Sequence, residues 1–140
     1  MITTTWKSIA AVLLCTVSSF VAAEVAIIVN PQNTDTISKD EIQKIYLAKV
    51  KTFPGGKIAI PFDQTEGSET RIEFVSKVIE KDEAQLKSYW SRLIFTGKGV
   101  PPKILSNDAE VKELVSRNAD AIGFIDSASI DDSVRVIGKF

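Results

Sequence analysis

Three polar stretches of the sequence contain the residues that could take part in chemistry: residues 63–70 (DQTEGSET), 96–99 (TGKG) and 126–132 (DSASIDD). The second stretch has a lysine between two glycines, but it lacks the upstream Gly and the downstream Ser or Thr of a phosphate-binding loop. We interpret it as the end of a helix at Gly97 followed by an exposed Lys98. The third stretch lacks the Gly and the terminal Glu of a calcium-binding loop, which favours a solvated turn.

The composition of the 140-residue chain excludes several classes of function. The sequence has no His, which removes Ser–His and Cys–His catalytic pairs and the commonest zinc and iron ligand sets. No pair of carboxylates is singled out by its spacing for acid–base catalysis. The formal net charge of −1 provides no field that would attract nucleic acid. We therefore predict that the protein is not an enzyme, that it has no cofactor or metal site, and that it has no nucleic-acid partner.

The first 23 residues have the pattern of a secretory signal peptide. Lys7 precedes an apolar stretch, residues 9–20, that is too short to cross a bilayer comfortably, and small residues end the segment at Ala23. A retained N-terminal anchor is one alternative. Lipidation at Cys15 is another, although the bulky leucine before this cysteine disfavours it.

Cleavage after this segment leaves residues 24–140 as one domain, which we expect in the periplasm. This part of the sequence contains no cysteine, so its stability must come from a hydrophobic core without disulfides. Its length is sufficient for such a core. We expect no membrane insertion after cleavage.

The hydrophobic pattern of the remaining sequence alternates between strand and helix. Continuous apolar runs predict strands at residues 25–30, 57–62, 121–125 and 134–137. Capping residues and apolar periodicity predict helices from Ser38 to about Lys49, from Arg71 to about Ile79, from Asp82 or Glu83 to about Gly97, and from Asn107 onward. Pro101 and Pro102 predict an extended connector. The sequence therefore predicts an α/β fold, with helices flanking a small mixed or parallel sheet.

Two of the predicted helices have a clear apolar face. Residues 72, 75 and 79 share one face of the earlier helix, and residues 86, 89, 90, 93 and 94 share one face of the later helix. Tyr89, Trp90 and Phe95 are interpreted as core packing, with an aromatic surface for a ligand as the alternative.

Four stretches together resemble one lobe of a type II periplasmic solute-binding protein, and in particular the phosphate-binding component of phosphate ABC transporters. They are residues 41–49 (EIQKIYLAK), 58–61 (IAIP), 67–74 (GSETRIEF) and 119–125 (ADAIGFI). Residues 90–99 are similar to a compact single-lobe subgroup of these proteins. The order of the stretches, more than any one of them, carries the resemblance.

The resemblance implies that the domain binds a small oxyanion, phosphate foremost, at the N-terminus of a helix. The matching positions are Gly67, Ser68 and Thr70, which would offer close backbone approach, an N–H group and hydroxyl donors. Arg71 would pair with the anion or with solvent. The alternative for the serine and threonine is simple helix capping, and for the glycine a simple turn.

Asp63 and Gln64 lie on the same predicted loop and would accept the proton of a monohydrogen oxyanion. The third residue of the family's Gly-Ser-Gly-Thr motif is Gly, whereas this sequence has Glu69 at that position. The family usually has an Arg just before this loop, and Phe62 occupies that region here. These departures, with only one lobe's worth of sequence, support an alternative function. In that alternative the chain is a degenerate lobe that binds no ligand and serves as an interaction or sensory adaptor in the cell envelope.

The expected partners follow from these two hypotheses. A binding protein would deliver its oxyanion to an ABC permease, whereas an adaptor would contact another envelope protein. Because the family binds its anion between two lobes, a homodimer or a partner protein would supply the missing wall of the site.

Overall fold

The computed structural model describes residues 24–140, and the predicted signal peptide lies outside the described residues. A single five-stranded sheet forms the centre of this part of the chain. Its strands are β1 (Val25–Val29), β2 (Ile60–Gln64), β3 (Lys103–Leu105), β4 (Ala121–Asp126) and β5 (Arg135–Lys139). Their spatial order is β3-β2-β4-β1-β5.

The sheet is mixed, because β2 runs parallel to β3 and β4 whereas β1 runs antiparallel to β4 and β5. The helices are α1 (Lys39–Tyr46), α2 (Glu69–Phe74), α3 (Glu83–Phe95) and α4 (Asp108–Arg117). A π-helical turn, Val75–Ile79, directly continues α2, and a short 3-10 helix, Ser127–Ser129, follows β4. The predicted α/β class, with helices flanking a small mixed sheet, is confirmed.

The core occupies both faces of the sheet. Every residue of β1 is buried, as the continuous apolar run predicts for a central strand. Ile27 belongs to the cluster under α1 and α2, where Phe74 and Phe124 stack with ring centroids 3.9 Å apart. Ile28 belongs to the cluster on the opposite face, under α4.

Gly123 of β4 permits close packing of α4 on the sheet. A Cβ atom at this position would lie 2.5 Å from Cγ1 of Val111 and 3.2 Å from Cγ2 of Val115. Only a residue without a side chain allows the helix to approach the strand this closely.

The predicted capping residues begin the helices. Ser38 and Glu41 form a capping box at α1, in which the serine hydroxyl accepts from Glu41 N at 3.2 Å and the Glu41 carboxylate accepts from Ser38 N at 2.7 Å. Asp82 and Gln85 form a capping box at α3, whereas Asn107 caps α4 only through its side chain, which accepts from Glu110 N. The predicted end of α1 near Lys49 is three residues late, because the chain turns at Ala48, which has φ of 56°.

The structure corrects the predicted positions of two strands. The prediction placed a strand at residues 57–62, but β2 begins at Ile60 and continues to Gln64, so Asp63 and Gln64 belong to a strand and not to a loop. The connector after Pro101 and Pro102 contains β3, whose parallel pairing with β2 extends both strands. This pairing joins segments about 40 residues apart, so periodicity within either segment could not reveal it.

Part of the predicted apolar faces is exposed. Ile72 is 48% exposed and Ile94 is 57% exposed, and α3 buries only Leu86 fully. The prediction that Phe95 packs in the core is wrong: this residue is 93% exposed, because it is the last residue of α3 and no described element covers that end of the helix. Tyr89 and Trp90 do pack against the core, as predicted.

Candidate functional site

A tight turn, residues 65–68, connects β2 to α2 and contains two of the predicted ligand-binding residues, Gly67 and Ser68. The other four flank it, Asp63 and Gln64 at the end of β2 and Thr70 and Arg71 in the first turn of α2. Ser68 N donates to Thr65 O at 3.2 Å, and Gly67 has φ of 88°, a conformation that favours glycine. Nothing lies within 4 Å of the position that a Gly67 Cβ would occupy, so this point of the turn faces open space. The turn thereby exposes the first residues of α2.

Ser68 is the N-cap of α2, and its hydroxyl oxygen accepts from Arg71 N at 3.2 Å. The N–H groups of Glu69 and Thr70 have no carbonyl acceptor within the helix, since a helix leaves its first donors unpaired. The Ser68 hydroxyl keeps its own proton for donation, and the Thr70 hydroxyl adds a second O–H donor. The capping role of the serine is thus observed, and it leaves donors available at the same turn.

Arg71 is buried, with only 7% of its surface exposed. Its Nε lies 3.2 Å from Oδ1 of Asp63, and its Nη2 lies 3.6 Å from Oε2 of Glu83. The Nε–H is not directed at the Asp63 oxygen, so this donor forms no hydrogen bond. The structure therefore places the guanidinium between two carboxylates of the chain, away from bulk solvent.

Asp63 combines burial with a nearby cation. Burial raises the pKa of its carboxyl group, while the charge of Arg71 and the hydrogen bond from Gln64 N, at 2.7 Å, lower it in part. The negative charges of Glu83 and Glu66 raise the pKa further. This carboxyl group takes up a proton more readily than an exposed aspartate does.

Gln64 is buried in β2 and has a structural role. Its Nε2 donates to Oδ1 of Asp108 and to the carbonyl oxygen of Phe124, both at 2.8 Å. The other oxygen of Asp108 accepts from the Ser129 hydroxyl at 2.7 Å. The amide group thus joins β2 to β4 and to the start of α4, and it lies apart from the exposed turn.

A pocket of about 260 Å³, here called the α2–α3 pocket, opens beside the turn. Its charged end includes Asp63, Glu66, Arg71, Glu83 and Lys87. Its apolar wall is formed mainly by residues 86, 90, 94 and 104.

Sequence reasoning missed the contribution of α3 to this pocket. Glu83 and Trp90 lie 12 and 19 positions after Arg71 and meet it only through the packing of α3. The one available signal was the apolar periodicity of α3, which places Trp90 on the inward face. Within residues 24–140, two buried side-chain polar atoms lack a hydrogen-bond partner, Nε of Arg71 and Oε1 of Glu83, and both residues line this pocket.

The described part of the chain shows neither a metal cluster nor a membrane span. Across residues 24–140, no three His, Cys, Asp or Glu side chains are grouped to hold a metal ion. No helix in the same range is long and apolar enough to cross a bilayer.

The fold is similar to that of several solved substrate-binding proteins of phosphate transporters. No protein-family model matches the sequence, and no curated protein matches it significantly. An ABC-type phosphate transport receptor from Vibrio cholerae superposes with a TM-score of 0.64 and 22% identity, covering 82% of this chain and 46% of that chain. A putative phosphate ABC transporter substrate-binding protein with bound phosphate, from Clostridium perfringens, superposes with a TM-score of 0.64 and 23% identity. The match covers 82% of this chain and 45% of that chain.

PstS from Borrelia burgdorferi is also similar, with a TM-score of 0.61 and 14% identity, over 83% of this chain and 47% of that chain. The chain thus spans less than half the length of the solved structures it matches. The predicted resemblance to one lobe of a phosphate-transporter substrate-binding protein is confirmed at the level of the fold.

Proposed function

We propose that the chain is a periplasmic solute-binding protein that holds a small oxyanion, phosphate foremost, beside the turn between β2 and α2. The observation that carries this proposal is the buried guanidinium of Arg71: its Nε–H has no hydrogen-bond acceptor, and the residue lines an open pocket. A buried donor without an acceptor costs about 1–3 kcal/mol, and an oxyanion in the pocket would remove this cost.

Further donors lie next to Arg71 at the start of α2, but they do not line the α2–α3 pocket, whose edge nearest the turn is Glu66. An ion at that edge would lie between the pocket and these donors. The N–H groups of Glu69 and Thr70, with the hydroxyls of Ser68 and Thr70, lie within the first helical turn before Arg71. The partial positive charge at the start of α2 acts in the same direction. Gly67 leaves room for the ion because no side chain projects from the turn at that position.

Asp63 would contribute through its proton equilibrium. Because burial raises the pKa of this carboxyl, it accepts a hydrogen bond from a monohydrogen oxyanion when charged and donates one when protonated. Gln64 takes no direct part in this proposal, since its amide group holds β2 against β4 and α4.

The site implies a transport role outside the cytoplasm. The signal peptide would be removed before Glu24, and the mature chain would pass its oxyanion to an ABC permease without catalysing a reaction. The named functions of the structures it resembles support this role. Because the α2–α3 pocket is open to solvent, a second copy or another envelope protein would form its outer wall.

The adaptor hypothesis has support from a different surface. Phe95 and Val100 are 93% and 83% exposed, and neither lines the α2–α3 pocket. In addition, Arg71 already faces two carboxylates, which weakens its attraction for an anion. A chain that binds no oxyanion but retains a partner through these apolar side chains would have the adaptor function.

Calorimetric titration of the mature chain with phosphate, sulfate, arsenate and molybdate separates the two hypotheses. We expect micromolar binding of one of these ions and its loss in the double variant Ser68→Ala, Thr70→Ala. The matched control is Thr34→Ala, Ser88→Ala, which removes an exposed threonine and serine elsewhere. Absence of binding by all four ions would contradict the proposal and favour the adaptor.

A further inference from the structure

Two residues that line the α2–α3 pocket, Arg71 and Glu83, each have a buried polar atom without a hydrogen-bond partner. Nε of Arg71 is a donor without an acceptor, and Oε1 of Glu83 is an acceptor without a donor. The two side chains are neighbours, with Nη2 of Arg71 3.6 Å from the other carboxylate oxygen of Glu83. A monohydrogen oxyanion has a single O–H to donate, and when that proton goes to Asp63, as proposed above, Oε1 of Glu83 is left without a donor.

The charges around the pocket also disfavour a simple dianion. Three carboxylates, at Asp63, Glu66 and Glu83, face two cationic groups, at Arg71 and Lys87. The charged end therefore carries one excess negative charge when all of these groups are ionised. A bound phosphate dianion would add to that excess, whereas a ligand that also contains an ammonium group would offset it.

The opposite wall of the pocket is apolar and partly open. Ile94 and Ile104 are 57% and 58% exposed, Trp90 is half-buried, and all three line the pocket. An inorganic ion would leave these side chains exposed to solvent. A ligand with a short carbon chain would cover them, and the burial of apolar surface would stabilise the complex. The volume of about 260 Å³ suits a small molecule of this kind.

We infer that the ligand of the α2–α3 pocket is a small organic oxyanion that carries an ammonium group on a short carbon frame. Its oxyanion accepts from Arg71, its ammonium group donates to Glu83, and its carbon frame contacts Trp90. This inference rests on the proposed function, because it names the chemical class of the ligand for the same site.

The test compares 3-aminopropylphosphonate with propylphosphonate and inorganic phosphate by calorimetric titration of the mature chain. We expect the amino compound to bind about tenfold more tightly than propylphosphonate, as a charged hydrogen bond would give. Glu83→Gln should remove most of this difference without weakening propylphosphonate. Glu113→Gln, which changes an exposed glutamate on α4, is the control and should leave the difference intact.

Trp90 provides a second measurement on the same samples. It is the only tryptophan in residues 24–140, so its fluorescence reports directly on the pocket wall. We expect 3-aminopropylphosphonate to change its emission. Equal affinity for the two phosphonates would overturn the inference and leave the oxyanion site standing. Absence of binding by all three compounds would also overturn the inference, and it would overturn the proposed function as well when sulfate, arsenate and molybdate do not bind either.

Discussion

The guanidinium Nε of Arg71 lies 3.2 Å from Oδ1 of Asp63, and both side chains are largely buried. This pair joins α2 to the end of β2 next to the exposed turn at residues 65–68. A buried pair of this kind costs desolvation energy, and its partners depend strongly on each other. The same contact therefore connects the stability of the domain with the charge of the proposed site.

Removal of the cation should destabilise the fold. Arg71→Met would leave Asp63 buried without its cationic partner, and we expect the free energy of unfolding to fall by about 3 kcal/mol. Urea denaturation followed by circular dichroism measures this change. Arg92→Met is the matched control, because Arg92 is exposed on α3 and should change stability little. Equal losses in the free energy of unfolding for the two substitutions would show that the buried Arg71–Asp63 pair contributes no more to stability than an exposed arginine does.

The pH dependence of stability should reveal the raised pKa of Asp63. Because burial raises this pKa above its ordinary value of 3.8, the folded state binds the proton more tightly than the unfolded state. The favourable contribution of this group is complete below pH 3.8 and is lost as the pH rises through the folded-state pKa.

Comparison with Asp63→Asn isolates this contribution, because asparagine does not titrate. We expect the stability of the native sequence relative to this variant to decrease with rising pH in that window. Chemical denaturation at a series of pH values measures the difference. A relative stability that increases with pH would mean that Arg71 dominates and that the folded-state pKa is lowered instead.

The close approach of α4 to β4 at Gly123 predicts a steric penalty. Gly123→Ala would place a methyl group 2.5 Å from Cγ1 of Val111, and overpacking of this kind costs about 1–3 kcal/mol. Thermal denaturation of the variant measures the loss. The double variant Gly123→Ala, Val111→Ala removes the clashing atom, so its loss should be smaller than the sum of the two single losses. If the stability loss of the double variant equals the sum of the two single losses, the proposed steric contact between residues 111 and 123 is contradicted.

The signal-peptide prediction has a simple chemical test. Expression of the full chain in a Gram-negative host should give a periplasmic product whose N-terminal residue is Glu24, since small residues precede this position. Mass spectrometry of the osmotic-shock fraction identifies this terminus. A product that begins at Cys15 with a lipid mass would instead support lipidation, and an uncleaved membrane-bound product would support an anchor.

Local sequence signals were sufficient for the fold class but not for the site. Ser38, Asp82 and Asn107 begin their helices as predicted because a cap depends only on residues within one turn. Strand β3 was missed because it forms by pairing with β2, which is distant in sequence. Long-range pairing of this kind leaves no periodic trace in a three-residue segment.

The local structure around Gly67 and Ser68 was predicted, but the residues that surround this turn in the fold were not. Ser68 caps α2 and Gly67 faces open space, both readable from local residue types. The contact of Arg71 with Glu83 depends on how α3 folds back on α2, which sequence spacing does not specify. This contact places a further carboxylate beside Arg71, in addition to Asp63 and Glu69, which the sequence already placed near the turn.

NMR can follow directly the N–H groups that are proposed to bind the oxyanion. A ¹H–¹⁵N spectrum of the mature chain should show the Arg71 Nε–H resonance and the backbone amides of Glu69 and Thr70 moving together on titration with phosphate. We expect saturable shifts confined to these groups and to the residues of the adjacent α2–α3 pocket. A spectrum that stays unchanged at millimolar phosphate, sulfate, arsenate and molybdate, or shifts confined to another surface, would contradict the proposed oxyanion site.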